Sequence, residues 1–269
     1  MASRFYVTDS LGTDSVSERY LAIEAAAKTG KPTEFRVIRY RKELCARKEV
    51  AAALEAEAIA ESMLVHPNIL KLEAFGVWTG SVYFAYESVE SSSLAEAWKA
   101  AGRYALEPAL VMSIATQLLD ALIYAHGGPE SSQRRRKGVF QRAFTPESIE
   151  LTRTGIVKVR GFGSAEHSGG RRPNALDLLF GRTAYLAPSI LDGAEASAKT
   201  DLFSLGILLW ELLTGQPLFR KASPEESAAA VRSREIPQVS SISKPSCPTM
   251  WATLLRKRRN GADSARPSF

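Results

Sequence analysis

Apolar and polar residues alternate over 5–11, 20–25 and 35–40, the last with Phe35, Val37 and Arg39 on one face, and this period of two predicts three strands. Gly12 and the Gly30, Lys31, Pro32 run mark the turns between them. Residues 48–64 are rich in Ala, Glu and Leu, all strong helix formers, and Pro67 stops that helix because the residue before a proline is pushed out of helical conformation. Two further strands over 71–78 and 82–88 complete a small α+β lobe built around one helix. Beyond Ser91, Ser92 and Ser93 the period changes. A helix over 94–101 is followed by a longer one opening at Glu107 and Pro108, with Leu110, Ile114, Leu118, Leu119 and Leu122 at helical spacing. A short strand pair within 148–159, a glycine-rich stretch over 161–170 and an apolar helix over 201–213 complete a second, mainly helical lobe. The expected division is 1–90 and 91–269, with a hinge over 88–94.

Composition narrows the class. With 269 residues and 45% hydrophobic content, the chain has enough apolar surface for a sizeable core. The longest apolar run, near 205–213, is interrupted by Glu211 and is too short to cross a bilayer, and the amino terminus lacks an apolar signal stretch. A cytoplasmic location is therefore expected, for the chain itself or as the cytoplasmic part of a longer protein. Cys45 and Cys247 form no paired motif, which argues against a disulfide framework or a zinc site. The net charge of +6 is local: the runs 134–137 and 256–259 carry eight positive charges, and the remainder is near neutral at about −2. No aromatics interleave with these runs, so nucleic acid is not expected as a partner.

Several short motifs fall in a recognisable order: His66-Pro67-Asn68-Ile69, Tyr124-Ala125-His126, Pro146-Glu147-Ser148-Ile149, Gly161-Phe162-Gly163, Tyr185-Leu186-Ala187-Pro188, Asp201 through Gly206, and Arg266-Pro267. Together they resemble the protein kinase family, in particular bacterial relatives of eukaryotic Ser/Thr kinases. The resemblance runs from about Phe5 to the end of the chain and implies a two-lobe α+β fold, a five-stranded antiparallel sheet lobe beside a larger helical lobe. It also implies that Asp201 accepts hydrogen bonds fixing the catalytic-loop backbone, and that Arg142, Phe162, Gly163 and Arg266 are structural.

Phosphoryl transfer in that family needs a phosphate-cradling loop, a phosphate-pairing Lys, two Mg²⁺ ligands and a catalytic Asp. The matching positions here depart from the pattern. Gly12, Asp14 and Ser17 align with the three loop glycines, and Asp14 brings a negative charge towards the phosphates. Arg39 is expected at the Lys position, with Glu57 as its helical partner. Ala143 stands for the catalytic Asp, Thr145 for the Lys two residues on, and Ser148 and Gly161 for the two metal ligands. Tyr86 is the gatekeeper, Glu150 replaces the apolar residue under adenine, Arg182 replaces the Thr that faces the catalytic Asp, and Ser189 replaces the Glu that pairs with Arg266.

The resemblance with these losses implies a catalytically inactive domain, a pseudokinase. It would act as a scaffold or allosteric regulator for protein partners such as an active kinase or signalling receptor, with no metal and no cofactor beyond ATP held without Mg²⁺. The alternative is a nucleotide-binding or weakly active atypical Ser/Thr kinase using Arg39, Asp14 or Glu147 in unusual roles. Two side readings concern Ser164 and Ser168 beside Arg171 and Arg172 as a phosphorylation-dependent docking loop, and 127–137 as a basic insertion.

Overall fold

The computed structural model describes residues 5–24, 33–127, 138–163, 177, 181–233 and 235–237. Five strands form the first lobe: β1 (Phe5–Thr13), β2 (Ser17–Glu24), β3 (Glu34–Tyr40), β4 (Leu72–Trp78) and β5 (Ser81–Glu87), in the order β1-β2-β3-β5-β4 with every pair antiparallel. A short helix α1 (Lys42–Cys45) leads into α2 (Lys48–Glu61), which ends at Ser62, short of residue 64. Strand alternation then sorts β3 into two faces. Ile38 and Tyr40 pack with Leu54, Ala58 and Phe84 beneath α2, whereas Phe35 and Val37 join Ala22 and Ala85 on the opposite face of the sheet.

The connection between lobes is more regular than a plain hinge. Ser91, Ser92 and Ser93 form a strand, β6 (Ser91–Ser93), which pairs with β7 (Ile149–Thr152), itself paired with β8 (Val157–Val159). The short pair expected over 148–159 is therefore a three-stranded sheet. Ser93 also caps α3 (Leu94–Ala100): its hydroxyl accepts from Glu96 N at 3.2 Å while Glu96 reaches back to Ser93 N at 3.3 Å. The lobes are joined again where Leu70 N donates to Val159 O and Val159 N to Asn68 O, each at 2.9 Å.

The helical lobe is built on α4 (Pro108–Ala125), α5 (Pro188–Leu191), α6 (Ala198–Thr214) and α7 (Pro224–Ser233). Val111, Ile114, Leu118 and Leu122 form the buried stripe of α4, which packs with Leu205, Leu208 and Leu212 of α6 and with Phe162. Leu119, included in that stripe by its spacing, lies partly exposed on its other face, next to the more exposed Ile123. Among the described residues α4 alone is long and apolar enough to cross a membrane. Here it serves as a core helix.

Gly163 is required where α2 meets the glycine-rich turn. Its φ is +88°, and a Cβ there would collide with Ala60 Cβ. Gly163→Ala is therefore expected to cost about 2 kcal/mol through strain and overpacking, read as a lower denaturant midpoint; an unchanged midpoint would mean that α2 shifts freely.

Candidate functional site: the cleft between the lobes

A cavity of about 420 Å³ opens between the lobes, lined by Leu11, Arg36, Ile38, Tyr86, Glu150 and Arg160 among others, within the range of small-molecule sites. A second space of about 260 Å³, lined by Tyr40, Thr145, Ser148, Arg160 and Arg182, lies beside it, and Asp14, Arg19, Ile38, Glu147 and Arg160 border both.

The glycine-loop equivalent is a tight β1–β2 turn. Asp14 Oδ1 accepts from Val16 N at 2.8 Å and Ser17 N at 2.7 Å, so its carboxylate closes the turn and its charge is partly satisfied by backbone donors. Arg41 ties the same turn down by donating to Asp14 O at 2.7 and 3.0 Å. Gly12 keeps the positive φ of +126° that lets the strand bulge, close to Arg19.

Arg39 does not occupy the expected position. It points away from α2, towards Glu18 Oε2 at 3.5 Å and over the Trp78 ring at 4.7 Å. The expected Arg39–Glu57 pair is not formed, because Arg39 shares its strand face with Phe35 and Val37, whereas Ile38 and Tyr40 are turned to α2. The alternation of buried positions in 35–40 held this signal. Tyr40 is buried next to Glu57 and Glu61, and desolvation followed by these carboxylates drives its hydroxyl pKa far up.

Glu57 faces Arg182 instead, Oε2 to Nη1 3.7 Å apart, both buried. Burial pushes the Glu57 carboxyl upward, opposed by the Arg182 charge. One turn on, Glu61 is completely buried, and its carboxyl accepts from Gly161 N at a short 2.6 Å and from Tyr86 OH at 2.9 Å. Desolvation and the neighbouring Glu57 raise its pKa to about 8, so it is largely protonated at neutral pH. Sequence reasoning missed Glu61, although a carboxylate four residues after Glu57 on the same helix face was a visible oddity.

On the catalytic-loop side Asp201 is completely buried and accepts from Arg142 N at 2.6 Å, Gln141 N at 3.0 Å and His126 Nε2 at 2.8 Å. Arg142 sits at φ +71°, a left-handed conformation that these bonds hold, and pairs with Asp177 at 3.2 Å. Ala143 is buried. The Ser148 hydroxyl turns inward to Thr145 O at 2.8 Å and the 3₁₀ turn Pro146–Ser148 closes on it. Phe162 is in the core, as is Tyr185, whose hydroxyl donates to Glu211 at 2.7 Å. Arg266, the loop bearing Ser164, Ser168, Arg171 and Arg172, and the basic insertion beyond Gly127 lie outside the described residues.

At the base end, Glu150 on β7 pairs with Arg36 of β3 at 3.3 Å and accepts from Ser91 Oγ at 2.7 Å, while Arg36 also donates to Ser91 O at 3.1 Å. Its charge is compensated by a clasp between the lobes, so it is not a lone carboxylate beneath the base.

A divalent cation does not fit the donors at the family's metal positions. Mg²⁺ is usually held by carboxylate oxygens and water, but Gly161 offers no side chain, the Ser148 hydroxyl is engaged inward, and the space beside Gly161 holds the Arg182 guanidinium. Among the described residues no cluster of three His, Cys, Asp or Glu could hold a metal.

A family model described as "Protein kinase domain" matches residues 5–267. A probable serine/threonine-protein kinase of Streptomyces coelicolor is 30% identical over 263 residues, 95% of this chain and 37% of the relative. One from Bifidobacterium longum is 27% identical over 222 residues, 82% of this chain and 28% of the relative. Aurora kinase B of Drosophila melanogaster is 29% identical over 217 residues, 81% of this chain and 61% of the relative. The chain spans less than two thirds of the length of each. These matches overturn the expectation of a non-enzymatic scaffold: relatives aligned over most of the chain are named serine/threonine-protein kinases. The kinship points to an enzyme.

Proposed function

Because the chain belongs to the protein kinase family, we propose that it is a nucleotide-binding, weakly active atypical Ser/Thr protein kinase domain, working in the cytoplasm on protein substrates. The observation that carries this reading is the open cleft of about 420 Å³ at the lobe junction, bordered by β1, β3, the β6 strand and β7. In the reaction, a Ser or Thr hydroxyl oxygen bonds to the γ-phosphorus of ATP and the bond from that phosphorus to the bridging oxygen breaks, releasing ADP. The hydroxyl proton passes to Glu147, the exposed carboxylate that borders both cleft spaces. A positioned base is worth about 10²–10⁴-fold and family members run at roughly 1–100 s⁻¹. With Ala143 in place of the usual Asp, turnover of about 10⁻⁴–1 s⁻¹ is expected, dividing the second range by the first.

The test is a thermal-shift titration with ATP and ADP, followed by transfer of the radiolabelled γ-phosphoryl group to a Ser/Thr protein substrate. Nucleotide at 100 times its Kd adds about 2.7 kcal/mol, a rise of several degrees, and Glu147→Gln should lower transfer at least tenfold. Absence of a shift at millimolar nucleotide, together with transfer equal to that of the Glu147→Gln protein, would overturn the reading.

A further inference from the structure

The 3₁₀ turn Arg182–Tyr185 follows Gly181, whose left-handed φ of +62° turns the chain back into the cleft and delivers the Arg182 side chain between the lobes. There it meets Gly161. A Cβ on Gly161 would have Arg182 Nη2 as its nearest neighbour at 3.6 Å, then Glu57 Oε1 at 3.7 Å and Gln141 Nε2 at 3.8 Å. The absence of a side chain at 161 and the presence of an arginine at 182 thus complement each other: the guanidinium lies where a side chain on 161 would point, while the Gly161 N–H is held by the Glu61 carboxyl.

Arg160, directly before Gly161 and at the end of β8, supplies a second cation. Its Nη2 donates to Glu147 O at 3.0 Å, which fixes the guanidinium at the border of both cleft spaces. Arg160, Arg182, Thr145, Ser148 and Ser17 line the smaller space, beside the cavity where the base would sit. The lining of that space is mixed: Arg19, Arg160 and Arg182 face Asp14 and Glu147, and Glu57 pairs with Arg182. Asp14 Oδ1 is already engaged by Val16 N and Ser17 N, so the donors an anion would meet there are the permanently charged guanidinium groups. A guanidinium presents a planar fork of donors that matches two phosphate oxygens at once.

Resting on the reading of the cleft as a nucleotide site, we propose that Arg160 and Arg182 hold the phosphates of the bound nucleotide in place of a divalent cation. Binding is then cation-independent, and the two guanidinium groups are the specificity elements for the polyphosphate.

Calorimetric titration of the full chain with ATP, with adenosine and with inorganic tripolyphosphate, each in EDTA and in millimolar Mg²⁺, tests this. The expected result is an ATP Kd that differs less than about threefold between EDTA and Mg²⁺, with tripolyphosphate competing in EDTA. Arg160→Gln should weaken ATP and tripolyphosphate at least tenfold and leave adenosine unchanged. Arg182→Lys keeps the charge and removes the fork, and is expected to weaken ATP severalfold while preserving the melting transition. ATP binding that appears only with Mg²⁺, or equal ATP affinity in both variants and the parent protein, overturns the arginine assignment and leaves nucleotide binding standing. No binding of ATP under any condition overturns the nucleotide reading itself.

Discussion

Asp201→Ala should lower stability by about 3–5 kcal/mol, the range for removing one member of a buried charged hydrogen-bond set. The carboxylate is completely buried and collects Gln141 N, Arg142 N and His126 Nε2. Without it two backbone N–H groups lose their acceptor in the interior, each at a cost of roughly 1–3 kcal/mol. The Arg142 backbone also loses what holds it at φ +71°. For a domain of this size each kcal/mol moves the melting temperature by about 2–4 °C, so a fall of roughly 10 °C is expected in a thermal melt. Asp201→Asn keeps one acceptor oxygen and should recover part of that loss. A melt unchanged by Asp201→Ala would mean that water or a neighbouring group replaces the carboxylate.

The second large effect is a pH dependence centred on Glu61. Its carboxyl is at about 8 in the folded chain against 4.5 for the free group, so the folded state holds a proton that the unfolded state gives up. The stabilisation from that proton is complete below about 4.5 and is lost as pH rises through about 8. Each unit of difference corresponds to about 1.36 kcal/mol, so the loss across this window amounts to a few kcal/mol. Glu61→Gln should remove that slope: the amide oxygen still accepts from Gly161 N and its NH₂ meets Tyr86 OH, with no charge to bury. Melts from pH 5 to 9 are expected to show the parent protein losing several degrees relative to Glu61→Gln between pH 5 and about 8, with the two curves parallel above that. Parallel curves for the two proteins across the whole range would show that Glu61 is not the group that titrates.

The Asp201 network and the Glu61 site differ in how readable they were. Asp201 belongs to an ordered motif, and its carboxylate accepts from Gln141 N and Arg142 N. Glu61 belongs to no motif, and its significance comes from Gly161, a hundred residues away. Arg39 lies between these cases: its alternation with Phe35 and Val37 was visible, but a motif-based alignment placed it one residue out of phase with the strand face.

The sequence by itself determined the two-lobe α+β plan, the five strands around one helix, the helical second lobe and the kinase kinship, because these rest on local periodicity, turn residues and the order of short motifs. Only the tertiary structure decided that Tyr40 faces α2, that Glu57 pairs with Arg182, that Arg36 clasps Glu150 across the cleft, and that the Ser91–Ser93 segment is a strand. Each of these depends on which distant side chains share a low-dielectric space. Coulombic and hydrogen-bond partners are chosen by proximity in three dimensions, and spacing along the chain carries no record of it.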